Sequence, residues 1–174
     1  MSKDQGVKPS FKVEWTKKDS ATYTVKGTYD DVYKFYEKRN ASKEEWGKFS
    51  ATKPQLSFKP TKGNIEEVVL KIGYTITMPK WSGYNDAKKS CKEAWDKMFS
   101  SLEKHEDGHR SILEDEVKSF GEKVKAQSNL DPKKLAELLK EFSPSVNKAQ
   151  KKFDDSTGSG AKKGVFLPAP DQCK

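Results

Sequence analysis

The longest hydrophobic pattern of the chain covers residues 87–124 and has the period of an α-helix. Apolar residues recur there at steps of three and four, which places them on one stripe of a helix that faces a core. The stripe consists of Cys91, Ala94, Trp95, Met98, Leu102, His105, His109, Ile112, Leu113, Val117, Phe120 and Val124. Two histidines therefore belong to the face that the pattern predicts to be buried.

Alternation of apolar and polar residues predicts strands ahead of this helix. The predicted strands are residues 11–15, 23–25, 56–58 and 68–78, of which the last is the clearest. Residues 40–52 show no clear period, and we interpret Trp46 and Phe49 within them as core residues.

Start signals predict further helices. Thr28, with Asp31 three residues later, opens a short helix. Pro132 follows an aspartate after the long helix, and Pro144 follows a serine, so we expect two separate C-terminal helices. Together these elements predict an α+β fold, in which a small mixed or antiparallel sheet packs on the long helix.

Length and composition are typical of one soluble domain, since 174 residues with 33% hydrophobic content can form one core. We expect a single domain over residues 1–174, with loose tails at 1–10 and 168–174. No apolar run approaches the roughly 20 residues that span a bilayer, which excludes a membrane-spanning protein. The lysines behind the net charge of +8 are spread along the chain, so the charge favours a solvated surface over a nucleic-acid interface. We expect a monomer.

The two cysteines, Cys91 and Cys173, leave two interpretations open. A disulfide between them would pin the C-terminus and favour an oxidising compartment, whereas two free thiols would not. The residues after Met1 lack the pattern of a signal peptide, so the chain is either cytosolic or the mature form of an exported protein.

The candidate chemistry lies in HEDGH at residues 105–109, which holds both histidines of the chain. Positions i and i+4 share one face of a helix, so both imidazoles can bind one metal ion with Glu106 beside it. The alternative is a pair of surface histidines on a charged helix. Their place on the inward stripe argues against it, because buried imidazoles need a partner. The spacing therefore predicts a zinc site with His105 and His109 as ligands.

A catalytic zinc usually has three protein ligands, and the chain has no third histidine. Asp115 is a poor candidate, because it would lie about 9 Å along the helix axis from His109. Glu137 and Glu141 are alternatives on a following helix. We rank Asp154 first, since we expect it in a loop beside flexible glycines, although it is equally typical of a turn or helix end.

With an open coordination position, zinc lowers the pKa of its water and polarises a peptide carbonyl. Glu106 would be the general base that takes the proton from this water and passes it to the leaving amine. The motif thus predicts a zinc metallopeptidase with a peptide or protein substrate. Tyr74, Tyr84 and Arg110 are candidate oxyanion donors, and none is favoured.

Four segments of the chain resemble the domain-of-unknown-function family DUF922, a group of predicted secreted zinc-dependent proteases. They are YTVKGTYDDVYKF at 23–35, TMPKW at 77–81, AWDKMFSSLEKHEDGH at 94–109 and FDDSTGSGAKKGV at 153–165. The HEDGH part is specific and the others are weaker. The resemblance implies a zincin-like α+β domain, a secreted or periplasmic protein, and peptide hydrolysis.

The resemblance also implies a histidine as third metal ligand at the position of Ser159, and serine is a poor zinc ligand. Either Asp154 or Asp155 replaces it, or the site binds metal weakly, or this member has lost its activity. The leading hypothesis is therefore a zinc metallopeptidase. The first alternative is a degenerate zincin that acts as a secreted binding or effector protein, and a basic nucleic-acid-binding domain is a weaker second.

Overall fold

The computed structural model of the protein describes residues 6–61 and 63–173. Within them the chain forms a four-stranded sheet and three α-helices. The strands are β1 (Ser10–Val25), β2 (Lys48–Ala51), β3 (Gln55–Thr61) and β4 (Asn64–Trp81), and the helices are α1 (Tyr29–Ala41), α2 (Lys89–Lys125) and α3 (Pro132–Thr157). Short 3-10 turns at Ala161–Lys163 and Pro170–Cys173 follow α3. The expected mixed α+β class is confirmed.

Strand β4 is the centre of the sheet. The strand order is β1-β4-β2, and β3 also pairs with β4, in the antiparallel sense. In the β3–β4 pair, Leu56 lies opposite Leu70 and Phe58 opposite Val68. Strand β1 is continuous where the pattern predicted two short strands, because its middle residues 16–20 are exposed on both faces and so show no alternation.

Contacts divide the chain into two compact units. The single domain expected from the sequence stays a prediction. The first unit comprises Met1–Lys18, Ala51–Tyr74 and Arg110–Lys151, and the second comprises Asp19–Ser50, Thr75–His109 and Lys152–Lys174. The division falls inside β1, β2, β4, α2 and α3, so each of these elements contributes residues to both units.

Each unit has an apolar core of its own. In the first unit, Phe120 packs on Phe11 and Phe142 with ring centroids 5.7 and 5.3 Å apart. The core of the second unit consists of Val25, Tyr29, Val32, Tyr36, Met78, Trp81, Cys91, Trp95, Met98, Leu102, Val165, Leu167 and Cys173. This second core surrounds the first half of α2, which carries the HEDGH motif.

Helix α3 runs through Pro144, and the prediction of two separate helices is wrong. A proline inside a helix removes one N–H and crowds the carbonyl four residues earlier. Pro144 and Lys140 are both exposed, so solvent can bind the carbonyl that loses its partner. The helix therefore continues to Thr157.

The C-terminal residues are held in place by a disulfide. Cys173 is buried and bonded to Cys91, with Cα atoms 4.9 Å apart, so the disulfide is confirmed against two free thiols. The expected loose tail at 168–174 is therefore wrong for residues 168–173. Of the expected tail at 1–10, residues 1–5 lie outside the described residues, and Ser10 already belongs to β1.

None of the described helices combines the length and apolar composition that crossing a membrane requires.

Candidate metal centre

The two histidines of α2 face each other in the second unit. His105 and His109 are 7% and 8% exposed, and their Nε2 atoms lie 3.2 Å apart. Both lie on the buried stripe that the periodicity predicted. His105 comes one turn and His109 two turns after the buried Leu102. The helix thus brings two imidazole nitrogens together inside the protein.

Asp154, in the last turn of α3, is the third member of this group. Its Oδ1 lies 3.3 Å from Nε2 of His105 and 3.1 Å from Nε2 of His109. In the described part of the chain, these three residues form the group of His, Cys, Asp and Glu side chains whose ligand atoms lie close enough together to hold one metal ion. Asp154 lies on a helix and not in the predicted loop, since α3 is longer than expected. Asp115, Glu137 and Glu141 do not belong to the group.

The three atoms lie within about 0.2 Å of the spacing of ligands around one zinc ion. Bonds of about 2.0 to 2.2 Å in a tetrahedral site separate the ligand atoms by roughly 3.3 to 3.6 Å. The observed sides of the triangle are 3.1, 3.2 and 3.3 Å. Two imidazoles and one carboxylate are also donors that zinc accepts. Burial and the neighbouring His109 lower the pKa of His105 against the opposing effect of Asp154, which favours the neutral imidazole that a metal needs.

Glu106 lies next to the pair and is 4% exposed. The backbone N–H of Phe49 donates a hydrogen bond to its carboxylate. Burial raises the pKa of Glu106 to about 8, and the nearby carboxylates of Glu45 and Asp154 add to the effect. A cation held between the histidines would act in the opposite direction.

Residues 45–47 form a short segment, the 45–47 segment, that lies against Glu106. A Cβ on Gly47 would be 2.6 Å from Oε1 of Glu106, so this glycine allows the close approach. Three side chains hold the segment: Arg39 donates to the carbonyl of Glu45 at 2.6 and 3.0 Å, the hydroxyl of Tyr23 donates to the carbonyl of Trp46, and the indole of Trp46 donates to Oδ1 of Asn40 at 2.8 Å. The position of Glu106 is therefore constrained from the side of this segment.

The ring of Phe153 packs on both imidazoles. It is stacked on His105 and edge-on to His109, at 5.0 Å between centroids in each case. Gly108 leaves the space for this ring, because a Cβ there would lie 2.4 Å from Cζ of Phe153. The glycine inside the motif therefore accommodates the side chain of Phe153.

The other ring nitrogen of His105 lacks the usual support of a metal ligand. Metal-bound histidines commonly donate their second N–H to a carbonyl or carboxylate. Nδ1 of His105 is buried and has no hydrogen-bond partner within residues 6–61 and 63–173. Stacking by Phe153 and the close approach of Gly160, whose Cβ would lie 3.3 Å from Cγ of His105, orient the ring instead.

A cavity of about 30 Å³ lies among the three ligands, Glu106, the 45–47 segment and Ser159. This is space for an ion with one or two waters. Ser159 has a φ of +50°, which is uncommon for a residue with a side chain. None of the candidate oxyanion donors, Tyr74, Tyr84 and Arg110, is among the residues that line this cavity, and Tyr84 donates to Asp96 at 2.8 Å.

The sequence analysis missed several residues of this centre. Phe49 and Trp46 were interpreted as core residues, yet Phe49 stacks on His109 at 6.1 Å and binds Glu106 through its N–H. Trp46 does pack against the core of the second unit, and it also lines the cavity. Strand β2, which contains Phe49, is four residues long and too short to show a period.

The fold and site define an α+β protein in which two buried histidines meet a partly exposed aspartate, with a buried glutamate beside them. The family model described as "Bacterial protein of unknown function (DUF922)" matches residues 20–161. The chain belongs to this family, which confirms the resemblance seen in its four segments. No curated protein and no solved structure matches the chain.

Proposed function

We propose that the protein is a zinc-dependent peptidase that acts as a monomer on peptide or protein substrates. The observation that carries the proposal is the triangle formed by His105, His109 and Asp154, whose sides of 3.1 to 3.3 Å suit a tetrahedral zinc site. Glu106 is buried directly beside it. Together these residues have the composition of a hydrolytic zinc centre with three protein ligands.

In this proposal each residue has one role. His105, His109 and Asp154 hold the ion, and zinc bound there would supply an acidified water and polarise a peptide carbonyl. The carboxylate of Glu106 accepts the proton of the attacking water and gives it to the nitrogen of the leaving amine. The N–H of Phe49 and the 45–47 segment keep that carboxylate in place.

We propose further that the protein works outside the cytoplasm, as a secreted or periplasmic protein. The disulfide between Cys91 and Cys173 supports this location, because such bonds persist in oxidising compartments.

A second candidate is a degenerate zincin that binds a partner without cleaving it. The cavity at the metal centre measures about 30 Å³, which leaves no space for a substrate side chain. Ser159 lines this cavity at the position for which the family resemblance implies a histidine. Both observations favour a site that binds an ion without turnover.

The first experiment measures the zinc content of the purified protein beside a His109→Ala variant. About one zinc per chain, lost in the variant, is expected for a complete three-ligand site. Peptide hydrolysis is then measured for the wild type and for Glu106→Gln, with the exposed Glu103→Gln as matched control. Loss of cleavage in Glu106→Gln alone supports the peptidase. Bound zinc without cleavage of a diverse peptide mixture favours the degenerate zincin. Absence of zinc contradicts the peptidase and also favours a protein that binds a partner without cleaving it.

A further inference from the structure

The second unit contains another concave site, which shares no lining residue with the metal centre. We call it the α1 pocket, because the first turn of α1 forms one of its walls. Its volume is about 600 Å³, within the range of small-molecule sites. The metal chemistry proposed above makes no use of it.

The floor of the α1 pocket is apolar and its polar atoms are already paired. Tyr29 and Trp81 contribute aromatic rings 5.9 Å apart in an edge-to-face arrangement. The hydroxyl of Tyr29 donates to the carbonyl of Pro168 at 2.9 Å, and the indole N–H of Trp81 donates to the carbonyl of Gly27 at 2.8 Å. An apolar ligand body can therefore contact this floor without leaving a buried donor unpaired.

The rim of the pocket has the opposite charge to the protein as a whole. Asp30, Asp31 and Asp86 line it against one cation, Lys88, although the chain carries a net charge of +8. The carboxylates of Asp30 and Asp86 make neither a hydrogen bond nor an ion pair with any residue in 6–61 and 63–173. Two carboxylates are thus available to a ligand.

The partial positive charge at the N-terminus of α1 does not make the charge of this rim positive. Thr28 donates to the carboxylate of Asp31 from its N–H at 2.9 Å and from its hydroxyl at 2.8 Å. The N–H of Asp31 in turn donates to the Thr28 hydroxyl oxygen. The helix terminus is therefore neutralised by its own first turn, and a cation is the ligand that the remaining charges attract.

The walls are fixed before any ligand binds. Gly83 lies so close to the chain at Gly27 that a Cβ on Gly83 would be 2.2 Å from the carbonyl oxygen of Gly27. Cys91 and Cys173 form the opposite wall and are joined by the disulfide. A preformed pocket binds its ligand without the cost of ordering loops.

We propose that the α1 pocket binds a small organic cation, with an ammonium or guanidinium group at Asp30 and Asp86 and an apolar body on Tyr29 and Trp81. The volume argues for a small molecule over one lysine side chain of a partner protein. A single alkyl chain would fill only part of about 600 Å³.

The test compares two probes with the same apolar body and opposite charge, phenylbutylamine and phenylbutyrate. Each is titrated into the ¹⁵N-labelled full chain with its disulfide intact. The amine is expected to shift the backbone amides of Gly27, Gly83 and Ala87 in a saturable way, and phenylbutyrate is not. Equal shifts with both probes, or none with the amine, would overturn the proposal.

Three variants test the rim. Asp30→Asn and Asp86→Asn should each weaken amine binding about threefold, and the double variant roughly tenfold, as expected for exposed charge pairs. Asp171→Asn is the matched control. Asp171 is exposed in the 3-10 turn that contributes Pro170 and Cys173 to the pocket, but it does not line the pocket itself. Unchanged affinity in the double variant contradicts the proposal. A dilysine peptide that binds more tightly than the amine would assign the pocket to a basic protein segment instead.

Discussion

The ring of Phe153 lies nearly flat on the imidazole of His105, with centroids 5.0 Å apart and planes inclined by 16°. Phe153 directly precedes Asp154, so the residue that packs on His105 is adjacent in sequence to the carboxylate of the candidate metal centre. Packing of the ring and the position of the carboxylate are therefore coupled at this point of α3. A change that moves the ring should also move the carboxylate.

Gly108→Ala tests this coupling. At an exposed position inside a helix, alanine normally stabilises the protein by about 1 kcal/mol relative to glycine. Here its Cβ would lie 2.4 Å from Cζ of Phe153, and overpacking costs about 1 to 3 kcal/mol. We expect a net loss of stability of about 1 kcal/mol in urea denaturation, together with weaker zinc binding. Ser100→Ala, exposed on the same helix, should be neutral or slightly stabilising. A Gly108→Ala protein with full stability and zinc affinity would show that Phe153 moves freely.

Gly47→Ala tests the proposed general base Glu106 independently of the proposed metal ligands. Its Cβ would collide with the carboxylate of Glu106 at 2.6 Å, whereas Gly47 is not a metal ligand. We expect the rate of peptide cleavage to fall by at least about tenfold, within the contribution of a general base, while zinc content is unchanged. Ser50→Ala, on the exposed side of β2, should retain the wild-type rate. Zinc loss with an unchanged rate per bound zinc would contradict this role.

Asp154→Asn tests the third ligand. Removing a charged ligand should reduce zinc affinity by on the order of a hundredfold or more, since even outer hydrogen-bond partners contribute that much. Zinc also stabilises the folded state by mass action. The difference in melting temperature between zinc-loaded and chelator-treated protein should therefore shrink in Asp154→Asn and persist in Asp155→Asn. Calorimetric titration and thermal scans measure both quantities.

Asp31 should contribute to the acid sensitivity of the protein. Its hydrogen bonds from the hydroxyl and N–H of Thr28 lower the pKa of the carboxyl from its ordinary value of 3.8. A pKa that is lower in the folded state stabilises the protein above the ordinary value, and this stabilisation is lost as the pH falls through the folded value. The stability difference between wild type and Asp31→Asn should therefore shrink as urea denaturation is repeated from about pH 5 to about pH 3. Asp30→Asn provides the neighbouring control, and a difference that grows on acidification would refute the assignment.

The disulfide should account for a substantial part of the stability. The bond joins residues separated by 82 positions, and closing a long loop typically contributes about 2 to 4 kcal/mol. The double variant Cys91→Ser, Cys173→Ser should lose about this amount and become insensitive to reductant. Mass measurement before and after reduction and alkylation checks the bond in the purified protein. Equal stability of the oxidised and reduced wild type would contradict the prediction.

The long helix and the long strand could be predicted because burial of one face of each produces a periodic pattern of apolar residues in the local sequence. The stripe from Cys91 to Val124 identified α2, and with it the burial of His105 and His109. The alternation at residues 68–78 likewise identified β4, which the structure extends to Asn64–Trp81. The capping pair of Thr28 and Asp31 marked the start of α1 correctly.

The features that could not be predicted from the sequence depend on contacts between distant parts of the chain. The sequence analysis ranked Asp154 first among the carboxylates, but its approach to the histidines follows from a helix that continues past Pro144. Gly47 and Phe49 reach Glu106 because β2 joins the sheet through backbone hydrogen bonds, which do not depend on side-chain pattern. Local patterns therefore predicted that His105, Glu106 and His109 lie together at the buried face of α2, and tertiary structure determined what surrounds them.

The bond between Cys91 and Cys173 also makes a closed covalent ring of the chain from one cysteine to the other. His105, His109, Asp154, Glu106 and the glycine-rich segment that contains Ser159 belong to this ring. A single proteolytic cut anywhere within it would leave both ends attached to the same molecule. The ring therefore keeps the candidate metal centre on one covalently connected chain after a cut that would otherwise release a fragment.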